Sequence, residues 1–442
     1  MAARQIVRLI EPKPVRSLRP NSATITRSSL TATALHPSTR IIVIACVAVI
    51  LNMTGFLSVA AVLPVLFDAF SLTESRAGWL TGSTFAAYAV TVPLCTALTD
   101  RVDARPVVIA SLLVCAVSGI GFGLYATDYW SALGYRMLAG IGFGGMHFPG
   151  LKMLADRLPA ARTVRGSGIY VSMFSLGGAA SFALSGLVIA YLPWPWVFII
   201  SGLCSAFGAV LIWLMMPSLP PPKDTAPGLP DVRPVLNNRE AMRYVIGYFG
   251  HVWEMFSFRN WFVVFVAVNV GLSGNAGYAG WNIPLLAAVT SLAAWPAGLL
   301  VSELAQKFAR DRVITATVLI SLTVCIVLSL CRQVPTPVLL GLLIFYSMTA
   351  FGDSTAMASG LIVSVAPKLR GTALAVYALC GFCGGALGPA LVGWVMELAG
   401  GRHDPAAWVS AWLTIGAGTL VVIVVMNVSR AKTSKEGSHV SR

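Results

Sequence analysis

Seven ionisable side chains stand inside long apolar runs, where a soluble protein would not place them: Arg136, His147, Lys152, His251, Glu254, Arg259 and Asp353. The amide of Asn52 shares that setting. An ionisable group in hydrocarbon is costly, so it persists where it meets a partner, a water-filled path or a bound solute. Two carboxyls and two imidazoles in such places are groups able to exchange protons as their surroundings change. Two guanidiniums add fixed positive charge suited to a carboxylate. His251 and Glu254 are three residues apart, hence on one helix face. The chemistry implied is proton exchange at His251, Glu254 and Asp353, beside an anionic solute held by Arg136 and Arg259. Asn52, His147 and Tyr346 are the further expected solute contacts.

Structural readings compete with each assignment. Glu254 and Arg259 would persist equally as a buried ion pair. His147 is also read as packing between helices, and Lys152 as extending to the lipid headgroups. His251 and Glu254 resemble half a metal site, but no second histidine follows four residues on. The eight cysteines have no metal-ligand spacing with histidine, so neither metal nor cofactor is expected. Gly271-Leu272-Ser273-Gly274 resembles a protease serine motif, but a serine without an aligned base is no nucleophile.

These residues must be carried by membrane-spanning helices. Of 442 residues, 57% are hydrophobic and 11% charged, against about 25% charged in a soluble domain. Crossing the hydrocarbon takes about 20 apolar residues. Such runs lie near 41–67, 77–99, 106–127, 129–155, 166–190 and 194–216, then near 241–270, 280–302, 313–331, 335–365, 371–397 and 405–428. Between the two sets lies PSLPPPKDTAPGLPDVRPVLNN, a proline-rich stretch that reads as a solvated connector. The expected organisation is a tail over 1–40, a six-helix bundle over 41–216, a linker over 217–240, a second bundle over 241–428 and a tail over 429–442. Residues 1–40 are Arg-rich and nearly free of acids, which also suits a targeting segment, but Pro12 and Pro14 interrupt any helix there.

Net charge of +14 does not imply nucleic acid, because the basic residues are scattered between apolar runs. They fix orientation instead. Of 31 basic residues, Arg76, Arg332 and Arg402 fall in loops on one side, Arg136 and Arg259 lie within spans, and the other 26 lie towards the opposite side. Positive charge marks the cytoplasmic side. Both termini and the linker are therefore expected there, with the chain in a bacterial inner membrane.

The halves repeat. TALTDRVDAR at 96–105 corresponds to SELAQKFARD at 302–311, and RGSGIYVS at 165–172 to RGTALAVY at 370–377, offsets of 206 and 205 residues. Two six-span halves in one orientation imply a pseudo-twofold axis along the membrane normal.

On these residues the sequence resembles the major facilitator superfamily over about 40–430. The loop after span two is similar to that family's G-x-x-x-D-R-x-G-R signature: Asp100 and Arg101 match, and Arg105 is included in the expected gating loop. Thr96 and Asp103 stand where glycine is usual, which tells against close packing of that loop. Tyr135 to Gly142 resembles the family's span-four arginine motif, and Gly384–Pro389 a G-x-x-x-G-P. The glycine pattern of drug/proton antiporters is missing from span five, where Gly177 and Gly178 stand instead.

The resemblance implies an all-α integral membrane fold of twelve helices, with spans one, four, seven and ten lining a central cavity. Those are the spans that carry Asn52, Arg136, His147, His251, Glu254, Arg259 and Asp353. It implies a monomeric secondary transporter, here expected to take up a small anionic solute with protons by alternating access. A drug/proton antiporter is the alternative within the family, and a transport-inactive sensor or scaffold the alternative outside it.

Overall fold

The computed structural model describes residues 36–220, 231–272, 280–330 and 334–439, with side chains to residue 427 except at 271 and 272. Most of the N-terminal tail, the linker's centre, the turn at 273–279 with the serine motif, and the loop holding Cys331 and Arg332 lie outside the described residues.

Among the described residues, twelve helical crossings form two six-helix bundles. Ten are long and apolar enough to cross a membrane by length and composition. Tyr129–Ala155 and Arg239–Leu272, spans four and seven, complete the set. Helix starts carry the residues that satisfy free N–H groups. Thr73 opens span two, Asp103 span three, and Asp128 with Ser131 forms a capping box on span four. Asn282 caps span eight.

Three of the four spans that carry the candidate residues are broken near their middles. Span one runs Pro37–Met53 and Ser58–Ala69, span four Tyr129–Gly144 and His147–Ala155, and span ten Thr336–Gly352 and Ser354–Ser364, with Asp353 at the junction. Inside a bilayer, freed backbone groups must find partners on neighbouring helices. At the break in span one, Ser181 donates to the Thr54 carbonyl (2.7 Å) and accepts from the Leu57 N–H (2.9 Å). At the break in span four, Tyr170 donates to the Met146 carbonyl at 3.0 Å.

The bundles are hydrogen-bonded to each other at one end, while ring contacts such as Phe85–Phe256 join them nearer the middle of the spans. Every hydrogen bond that crosses between them among the described residues lies at the end where span two begins and span eleven finishes. Glu74 accepts from the backbone and guanidinium of Arg402, Glu397 from the Ser75 N–H, and Asn260 from Thr81. Asn282 donates to the Gly186 carbonyl at 2.6 Å. Glycines permit this approach: a Cβ on Gly78 or Gly82 would meet the carbonyls of Pro389 or Ala386 in span eleven. The Gly384, Gly385 and Gly388 face packs as a glycine surface should, against Phe249, Phe256 and Ser257 of span seven.

Candidate functional site

Span seven stays helical where its counterpart, span one, breaks, so its side chains fan out around a single axis. His251 and Asp353 meet at 2.8 Å through Nδ1, with side chains only 1% and 3% exposed. The break in span ten places Asp353 opposite span seven, and its carbonyl restarts the helix by accepting from the Met357 N–H. The other imidazole nitrogen, Nε2, is buried without a partner among the described residues. Tyr248 stacks on His251 at 5.7 Å and on Tyr377 at 3.7 Å. The hydroxyls of Tyr377 and of Tyr88, from the opposite bundle, are also buried and, among the described residues, unpartnered. The sequence carried no spacing signal for these tyrosines.

Arg259 lies two turns further along span seven. It is 4% exposed, yet among the described residues it forms no ion pair or hydrogen bond. Phe351 lies over its guanidinium at 4.1 Å, and Gly178 of the opposite bundle faces it, a Cβ there falling 3.4–3.5 Å from the guanidinium. The alternative ion pair with Glu254 does not form. Five residues of helix turn the two side chains about 140° apart, and Glu254 is used elsewhere.

Glu254 points into the C-terminal bundle. Its Oε1 accepts from Ser321 at 2.5 Å and from Tyr346 at 2.8 Å. Tyr346, expected as a solute contact, is fully buried in that bundle and engaged with Glu254. Arg136 and Asn52 are likewise turned into their own bundle. Arg136 donates to the Gly55 and Phe56 carbonyls freed by the break in span one, at 3.4 and 3.3 Å, and Asn52 accepts from Ser205 at 3.1 Å. Both border a cavity of about 20 Å³, room for a single water. His147 starts the second half of span four, with Phe148, Phe174 and Tyr170 rings 5.0–6.3 Å away and Nδ1 unpartnered. Lys152 pairs with Asp156 on an exposed face.

In the signature loop the structure shifts the emphasis by one turn. Asp100 and Arg101 are exposed, and Arg105 donates to the Trp213 carbonyl. Asp103, at a position where the motif usually has glycine, is the anchor. It accepts from Arg157 at 2.7 Å, from the Leu219 N–H at 2.9 Å and from the Arg105 N–H at 3.2 Å. Burial acts to raise its pKa, but these hydrogen bonds and the Arg157 charge prevail and hold the carboxyl below its ordinary value. Where the family pattern has glycine, this loop is held by a carboxylate's ion pair and hydrogen bonds.

The sequence model of the Major Facilitator Superfamily matches residues 45–352 and 255–441. A D-galactonate transporter of Escherichia coli is 26% identical over 400 residues, 81% of this chain and 88% of that protein. The inner membrane transport protein YnfM of Escherichia coli is 23% identical over 159 residues, so this chain spans only 38% of that relative. Among solved structures, a bacterial homologue of the human lysosomal transporter Spinster, inward-facing and unoccupied, superposes with a TM-score of 0.70 at 16% identity. The match covers 90% of this chain and 96% of that one. The nucleoside transporter NupG gives 0.70 at 13% identity, over 89% and 98% of the two chains.

Proposed function

The chain belongs to the Major Facilitator Superfamily, and from that membership we propose that it takes up a small organic anion together with a proton by alternating access. The observation that carries this reading is Arg259, a buried guanidinium without a counter-ion, facing the opposite bundle at Gly178 on the helix that also holds the His251–Asp353 pair. A buried charge left unpaired is strongly destabilising, and a solute carboxylate relieves that cost.

The pair links anion and proton. With His251 protonated and Asp353 ionised, the pair is neutral and Arg259 leaves one positive charge, which a monoanion cancels. With His251 neutral, the three groups sum to zero and attract an anion less. Whatever favours one ligand then favours the other by the same free energy, as linkage requires. The name of the galactonate-carrying relative, a transporter of an organic acid, supports the anionic reading.

Arg101, Arg157, Arg162, Arg165, Arg310 and Arg312 fall at the end opposite the inter-bundle seal. By the charge rule that end is cytoplasmic, so the seal faces outwards. A cysteine placed at Asp224, in a background lacking native cysteines, should resist an impermeant reagent applied to intact cells. Labelling from outside would reverse the orientation.

Proteoliposome uptake of an organic-acid panel, with and without a pH gradient, tests the function. For whichever acid is carried, Arg259→Gln should raise the apparent KM about tenfold or more, as loss of a charge-assisted contact implies. An unchanged KM would remove Arg259 from the solute site.

A further inference from the structure

We infer that the solute's carboxylate is attached to an aromatic or compact apolar group, so that the ligands of this site are aryl carboxylates and their kin rather than polyhydroxylated acids. The inference rests on Arg259 being the anion contact, as proposed above, and concerns what surrounds that contact. Phe351 covers the guanidinium at 4.1 Å and Phe256 stands 5.9 Å away. From Phe256 the aromatic wall continues across both bundles, to Phe85 at 4.1 Å, Phe56 at 5.8 Å and Phe382 at 6.2 Å.

The polar residues flanking Arg259 are turned towards other helices. Ser257 faces Gly388 of span eleven, and Asn260 accepts from Thr81 in the seal; among the described residues the Ser257 Oγ and Asn260 Nδ2 have no partner. A chain of hydroxyls bound beside Arg259 would lose its water against phenylalanine rings, and each unmatched hydroxyl weakens binding. A carboxylate gripped by both arms of a guanidinium lies in the guanidinium plane. An aryl ring conjugated to that carboxylate stays near the same plane, so its face continues the surface that Phe351 already covers. Gly178 closes the other side without a side chain, so the backbone of the opposite bundle approaches the guanidinium within the reach of a single Cβ.

The test uses the full-length protein in detergent, with radiolabelled benzoate as the probe. Gluconate, benzamide and cyclohexanecarboxylate compete as a polyhydroxylated acid, a neutral aryl compound and a saturated apolar acid. Benzoate should bind with gluconate and benzamide at least about tenfold weaker, and cyclohexanecarboxylate between, since aromatic stacking on a guanidinium–ring pair adds to plain apolar burial. Phe351→Leu should weaken benzoate about tenfold and gluconate less than about twofold, while Phe351→Tyr should retain benzoate binding. Size-exclusion profiles identify variants that have lost their fold. If gluconate bound as tightly as benzoate in an Arg259-dependent manner, the aryl inference would fail while the anion site stood. If Arg259→Gln bound benzoate as well as the parent, the anion reading itself would fail. Absence of binding by all four probes would also overturn the inference.

Discussion

Asp353→Asn is expected to abolish accumulation of the solute under a pH gradient while leaving exchange of labelled for unlabelled solute measurable. The amide keeps the size of the carboxyl and can still accept from the His251 Nδ1–H, the 2.8 Å contact seen here. It cannot carry the negative charge that makes protonated His251 acceptable in a site of 1% exposure. His251 is then neutral in both conformations, and the proton no longer distinguishes them. For one proton per solute, a pH difference of one unit can sustain an accumulation of about tenfold, since both correspond to about 1.4 kcal/mol. In the variant that ratio should fall to about one. Glu254→Gln should do less to coupling, because Glu254 accepts from Ser321 and Tyr346 inside its own bundle, and glutamine still offers an accepting oxygen. If Asp353→Asn still concentrated solute when supplied with only a pH difference, coupling would belong elsewhere. Glu254 would then be the first group to test.

The contrast between these two acids marks how far the sequence could be read. The twelve spans were legible because hydrocarbon demands long apolar runs, and the repeat because 96–105 and 302–311 keep their order of residue types. The rarity of buried charge singled out spans four, seven and ten, and the family resemblance added span one with Asn52. Which way each charge faced was not legible, because that depends on breaks in the helices. Span one breaks at Thr54–Leu57, and Arg136 is drawn to the carbonyls this frees rather than to a solute. Span seven does not break, so Arg259 is left facing the other bundle. The anchoring role of Asp103 was not legible, because a family pattern with glycine there says nothing of an ion pair with a residue 54 positions away.

Gly82→Val is expected to hold the two bundles apart at their sealed end and stop transport without unfolding either bundle. The Cβ of any side chain at this position would be driven onto the Ala386 carbonyl, and at Gly78 onto that of Pro389. These obstacles are helix backbone, which cannot swing aside as a flexible side chain can. The nearest atoms to both positions belong to span eleven of the other bundle, so the clash exists only while the seal is closed. Overpacking a close contact costs about 1–3 kcal/mol, occasionally more. With Gly78→Val added, two such costs sum to about 2–6 kcal/mol against the closed seal, the upper end of which carries a two-state equilibrium from mostly one state to mostly the other. Gly134→Val supplies the control, since nothing lies within 4 Å of a Cβ there and the same helix-propensity change is made without a clash. The measurement is alkylation of a cysteine at Thr81, beside Asn260 in the seal, together with solute uptake. Alkylation should rise about tenfold or more in the double variant as uptake is lost, with the control unchanged in both. A double variant that stayed protected at position 81 and still transported would mean that spans two and eleven do not separate in the cycle, and the opening would have to be sought along spans five and eight, where Asn282 holds Gly186.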